Sequence, residues 1–151
     1  KVENLKIFWN FAEKFSNQAE MKELLTIPQE IVGKTPLSEA KNSKNVKIYL
    51  FVKKILLKHF NLDELRRMVM IKGDNEFSNA LFTHSHPEIL REISNFLLEI
   101  FDIDNEEQKQ QLREIFLMKD KYGRIYVKAM HRESWMFQGI AEEIFTAEEL
   151  R

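Results

Sequence analysis

The sequence predicts an all-α chain built by reusing one helical unit. Three observations carry that reading. Glycine and proline are scarce, four and three of 151 residues, too few for the many tight turns of a strand-rich domain. Long stretches place apolar residues three and four apart, the spacing of an amphipathic helix. Three of the four glycines, Gly33, Gly73 and Gly123, open the same short pattern, each followed by a helical signal. One supersecondary unit used again and again is the mark of a repeat architecture.

Each element follows from local chemistry. Asn4–Phe15 reads as a helix with Leu5, Phe8, Trp9, Ala12 and Phe15 on one side, and a shorter helix covers Gln18–Leu25. Thr26–Val32, with Pro28, is a connector. Gly33 permits a positive φ in a tight turn. Thr35 is a good N-cap and Pro36 suits the first helical position, so a short helix runs to Lys41 with Leu37 and Ala40 inward. Asn42–Asn45 is a turn. Val46–Phe60 is helical, with Val46, Tyr49, Leu50, Val52, Ile55, Leu56 and Phe60 on a wide apolar face. Asn61, with Glu64 three residues on, is a capping box that starts a further helix over Leu62–Met70.

The order then recurs. Glu76–Phe82 is a short helix, Thr83–Ser85 turns, and Pro87–Phe101 is long, with Ile89, Leu90, Ile93, Phe96, Leu97, Ile100 and Phe101 apolar. Asn105–Met118 is an added helix carrying Leu112, Ile115 and Phe116. A third pass gives Ile125–Met130, a turn at His131–Ser134, and Trp135–Phe145. Small residues track the order: Ala12, Ala40 and Ala80 sit at matching places, and Ala129 or Met130 fills the place in the last copy. The helices near 62–70 and 105–118 read as insertions that lengthen the unit.

Composition bounds the function. The 23 basic and 24 acidic residues leave a net charge of −1, so phosphate-backbone binding is not the main task and no nucleic-acid partner is expected. Cysteine is absent, which removes disulfides, cysteine-ligated zinc and thiol catalysis and fits an intracellular, cytoplasmic setting. No apolar run is long enough to enter a membrane; Val46–Leu57 is broken by Lys47, Lys53 and Lys54. The chain reads as one domain, a fragment of a larger protein, since it begins at Lys1 and breaks off mid-pattern at Arg151.

Gly33-Lys34-Thr35-Pro36-Leu37-Ser38-Glu39-Ala40 resembles the ankyrin-repeat signature, a turn glycine followed by Thr-Pro-Leu-His-x-Ala, and Asp120-Lys121-Tyr122-Gly123 is similar to that family's aspartate-x-x-glycine turn. The resemblance covers four units, approximately 1–29, 30–69, 70–119 and 120–151. The signature histidine is replaced by Ser38, Ser78 and Lys128, so another network must join the units. The resemblance implies an ankyrin-like solenoid of helix pairs, with the extra helices inserted between repeats and with a concave face that binds a protein or peptide. On that face it would place Lys34, Asn42 and Ser43 in the second unit, Lys72, Asp74, Phe82 and Thr83 in the third, and Lys121, Tyr122, Arg124, Arg132 and Glu133 in the fourth. Aromatics and arginine among mixed charges suit a protein interface.

Catalytic, metal and cofactor readings are weaker. His84 and His86 lie two apart without further ligands and read as turn and helix-entry residues. His59 ends a helix, where an imidazole favours the dipole. His131, Glu133 and Ser134 share the residue types of a triad, but near-adjacent residues cannot adopt its geometry. Glu106–Glu107, Glu142–Glu143 and Glu148–Glu149 read as solvated helix faces. So does the cluster Lys41, Lys44, Lys47, Lys53, Lys54 and Lys58. Gly33-Lys34-Thr35 resembles the tail of a phosphate loop, but Gln29 stands where the upstream glycine is needed. Trp9 and Trp135 read as core or cap residues at the two ends of the stack. The expectation is a recognition module with no enzymatic activity, cofactor or metal. A non-binding all-α scaffold within a larger protein is the alternative, and an enzyme domain would need a deep cleft with convergent polar groups.

Overall fold

The computed structural model describes residues 2–26, 36–70, 86–117 and 141–149, and everything described is helix, turn or short link. Seven helices are α1 (Val2–Phe15), α2 (Gln18–Thr26), α3 (Pro36–Asn42), α4 (Val46–His59), α5 (Leu62–Met70), α6 (Pro87–Ile100) and α7 (Glu106–Leu117). Residues 141–144 form a further helical turn. The all-α expectation and the helix bounds hold to within a residue or two. Gly33, Gly73 and Gly123 lie outside the described residues, as do the expected helices at 76–82 and 125–130.

The chain stops and restarts its helices by one repeated device. At Asn17 the backbone N–H donates to Glu20 Oε2 at 2.8 Å, and Glu20 N–H donates back to Asn17 Oδ1 at 2.9 Å. Asn61 and Glu64 do the same at 2.9 and 2.8 Å. Thr146 N–H donates to Glu149 Oε2 at 2.8 Å, and Glu149 N–H returns to Thr146 Oγ1 at 3.4 Å. At the remaining site Gln108 N–H donates to Asn105 Oδ1 at 3.1 Å, while Gln108 Oε1 accepts from Asp102 N–H at 2.9 Å. At α2, α5 and α7 the cap satisfies donors that a helix start would otherwise leave open, and at Thr146 it closes a turn. Asn17, Asn61 and Asn105 recur at an interval of 44 residues.

The helices at Leu62–Met70 and Glu106–Leu117, expected as insertions, begin with the same kind of cap as α2. Each capped helix follows a long helix in the chain and forms a sequence pair with it: α1–α2, α4–α5 and α6–α7, with the helical turn at 141–144 and the turn at 146–149 in the same order. Short α3 leads into α4 through a turn in which Ser43 Oγ donates to the Ala40 carbonyl at 2.6 Å. Lys44 there takes φ 54°, a left-handed turn conformation unusual for a side chain other than glycine or asparagine. Asn45 then caps α4 by accepting from Lys47 and Ile48 N–H.

The core runs continuously along the pairs. Trp9, Met21, Leu25, Leu37, Ala40, Tyr49, Val52, Ile55 and Leu56 belong to one cluster with Leu65, Ile93, Phe96, Leu97, Leu112, Phe116 and Ile144. Contacts pass from neighbour to neighbour: α2 lies against α3 and α4, α4 and α5 lie against α6, and α5 touches α7. Three expectations about burial are corrected. Phe8 and Phe15 of α1 are exposed, and so is Leu50 of α4. On α1 and α4 the apolar arc is wider than the side that is covered. Lys53 is buried and paired, so the basic cluster around α4 is not wholly a solvated face.

Candidate partner-binding surface

Of the residues expected on a concave face, ten lie outside the described residues: Lys34, Lys72, Asp74, Phe82, Thr83, Lys121, Tyr122, Arg124, Arg132 and Glu133. Asn42 closes α3. Ser43 is exposed, and its hydroxyl serves the turn, donating to Ala40 and accepting from Asn45 N–H at 3.2 Å. Its local role is to hold the α3–α4 corner. His84, His131 and Trp135 also fall outside the described residues.

The described residues show how the pairs are joined. In each joint a polar side chain of one pair reaches the carbonyl at the C-terminal end of the next pair's long helix. Gln18 Nε2 donates to the His59 carbonyl at 2.6 Å, Arg66 Nη1 to the Ile100 carbonyl at 2.5 Å, and Arg113 Nη1 to the Ile144 carbonyl at 2.5 Å. These carbonyls belong to the last turn, which has no intrahelical donors left. A cation of the same pair also binds the next box: Lys22 Nζ meets Glu64 Oε1 at 2.5 Å, Arg66 meets Gln108 Oε1 at 3.3 Å, and Arg113 pairs with Glu149. Lys22 lies over the Phe60 ring and Arg113 over the Phe145 ring, adding cation–π attraction.

Sequence reasoning missed these joining residues. Their signal was the interval of the boxes, since Lys22 and Arg66 each stand five residues after the box asparagine.

The first joint holds a denser polar group. Glu13 Oε1 accepts from Trp9 Nε1 at 3.2 Å and Lys58 Nζ at 2.7 Å, and it lies 2.9 Å from His59 Nε2. His59 Nδ1 lies 3.0 Å from Gln18 Oε1. The Lys58 ammonium and the His59 ring hold the Glu13 carboxyl below its ordinary range. His59 is buried and packs edge-on to Trp9. The helix-dipole account of His59 is thus joined by a specific one, a bridge between two pairs.

Between α4 and α6 sits a second group. Lys53 Nζ lies 2.7 Å from Glu99 Oε1 and 3.7 Å from Glu92 Oε2. The Tyr49 hydroxyl is buried beside them and has no hydrogen-bond partner among the described residues. Burial, followed by the negative charges of Glu92 and Glu99, pushes its pKa far up, so it stays a neutral phenol.

A groove of about 280 Å³ opens between α7 and residues 143–146, lined by Lys109, Arg113, Glu143 and Phe145 among others. Its wall is the third joint. No group of three or more His, Asp or Glu side chains that could hold a metal ion occurs among the described residues. No described helix is long and apolar enough to cross a membrane. Among the described residues the buried polar groups His59 and Lys53 bridge helices.

No family model, curated protein or solved structure matches the chain.

Proposed function

We propose that this protein is a recognition module: a stack of helix pairs, ankyrin-like in its logic, that binds another protein or peptide through one preorganised face. The observation that supports the reading is the recurring joint, in which Gln18, Arg66 and Arg113 each cap the long helix of the next pair. Units that touch mainly their neighbours build an extended surface with little reorganisation on binding. Chemistry has no part in this reading. On this reading a partner would meet Phe82, Tyr122, Arg124 and Arg132, which the ankyrin resemblance assigns to the face, through aromatic and arginine anchors.

The test is capture of a partner by the protein, followed by binding measurements on variants. Tyr122→Ala is expected to weaken binding by about 1–2 kcal/mol or more, with the fold retained. Lys54→Ala, at an exposed position on α4, is the neutral control. Binding lost in the Lys54 variant but kept in Tyr122→Ala and Arg132→Ala overturns the assignment of the face and leaves a helical scaffold.

A further inference from the structure

The N-terminal helix carries an apolar row that the other long helices bury. Register between the pairs comes from the last backbone bond of each long helix: Ser16 N–H to Ala12 carbonyl, Phe60 to Leu56, Phe101 to Leu97, and Phe145 to Ala141. In this register Ala12, Leu56, Leu97 and Ala141 are equivalent, and all four are buried. Three residues later come Phe15, His59, Ile100 and Ile144. His59, Ile100 and Ile144 are at most 8% exposed, whereas Phe15 is 67% exposed. One position before the alanine, Ile55 and Phe96 are buried and Phe11 is 63% exposed. At the next row, Val52 and Ile93 are buried and Phe8 is 56% exposed.

The polar half of the joint is open at the same place. The carbonyls of His59, Ile100 and Ile144 accept a side chain from the preceding pair. The Phe15 carbonyl is their equivalent, and no such donor reaches it among the described residues. Glu64, Gln108 and Glu149 each bind a cation of the preceding pair. Glu20 is the equivalent box residue; one of its carboxylate oxygens holds Asn17 N–H, and no cation meets it among the described residues. Apolar row, carbonyl and box acid are the three components of a joint, and among the described residues all three lack their counterpart.

We propose that the face of α1 formed by Phe8, Phe11 and Phe15 is one half of an inter-pair joint, and that its occupant is a helix pair of this same build. The incoming capped helix presents an apolar ridge to Phe8, Phe11 and Phe15. It also carries a Lys, Arg or Gln that donates to the Phe15 carbonyl and to Glu20, as Arg66 serves Ile100 and Gln108. The argument is continuity with a joint made three times within the chain. It stands on that geometry and does not depend on the recognition reading.

The experiment supplies the occupant. In the register above Val2 is equivalent to Pro87, so a second copy of residues 45–86 is placed directly before Val2 of the full chain. The expected result is one cooperative unfolding transition with a midpoint raised by about 5 °C or more, as for any added interface of this kind. Phe11→Glu is expected to remove the gain in the extended chain and to move the original chain by no more than about 1 °C, since an exposed site contributes little. A second extension, residues 86–130 before Val2, presents the same joint from a different sequence. Separate melting of the added segment in both extensions, or a gain that survives Phe11→Glu, overturns the proposal. So does concentration-dependent dimerisation of the unextended chain that Phe11→Glu abolishes, because the occupant is then a second copy. Sedimentation of that chain as a monomer at all concentrations supports it.

Discussion

Arg66 of α5 donates from Nη1 to the Ile100 carbonyl, the last of α6, at 2.5 Å, while its Nη2 holds Asp63 on its own helix. The second contact orients the guanidinium for the first. A planar fork can serve a carbonyl, an amide oxygen and a carboxylate together, which the point charge of lysine cannot.

Arg66→Ala is therefore expected to destabilise the protein by about 1–3 kcal/mol, the range for losing a charge-assisted hydrogen bond to a part-buried acceptor. Arg66→Lys should recover only part of that. Urea denaturation measures both, and wild-type stability in the alanine variant would show that the joint is ornamental.

Leu97→Ala should cost about 2–5 kcal/mol, because the side chain is fully buried and its removal leaves a cavity. Leu37→Ala, at 5% exposure on short α3, belongs to the same class. Phe11→Ala, although the larger truncation, should change stability by less than about 0.5 kcal/mol. Equal losses at Phe11 and Leu97 would refute the burial order.

Lys53 and Lys54 are neighbours in sequence and opposites in environment. Lys53 is 7% exposed and paired with Glu99 and Glu92, while Lys54 is exposed. Lys53→Ala leaves the Glu92 and Glu99 carboxylates on one face of α6 without their shared cation and should cost about 1–3 kcal/mol, reduced from a fully buried pair because Glu99 is itself 46% exposed. Lys54→Ala should be neutral. Chemical denaturation of the two variants decides the matter.

Acid should weaken the joints. Glu13 is held below its ordinary value by Lys58 and His59, Glu64 by Lys22 and the Asn61 N–H, and Glu149 by the Thr146 N–H and Arg113. A carboxyl whose folded pKa is lowered contributes stability above its unfolded value, 4.5 here, and that contribution is lost as pH falls through the folded value. The melting temperature should thus begin to fall below about pH 5 and keep falling towards pH 3. Glu13→Gln should flatten the profile, and an unchanged slope in that variant would count against the polar group at the first joint.

Much of the fold is a local matter, and local matters are written in the sequence. Helix periodicity and capping chemistry act within a few residues, so α1 to α7 fall where apolar spacing and caps put them. The Asn61–Glu64 box is legible because its two members are three residues apart. The all-α class follows from the same short-range facts. Tertiary structure alone decided which apolar residues are covered. Phe8, Phe11 and Phe15 look like Val52, Ile55 and Ile100 in any helical wheel; the difference is whether a preceding pair lies against them. The charges behave alike. Lys53 and Lys54 are indistinguishable until α6 brings Glu99 to one of them, 46 residues away in the chain. The joints set by Gln18, Arg66 and Arg113 span 41, 34 and 31 residues. Contacts at that range depend on how rigid helices dock, and docking is a property of surfaces that no single segment contains.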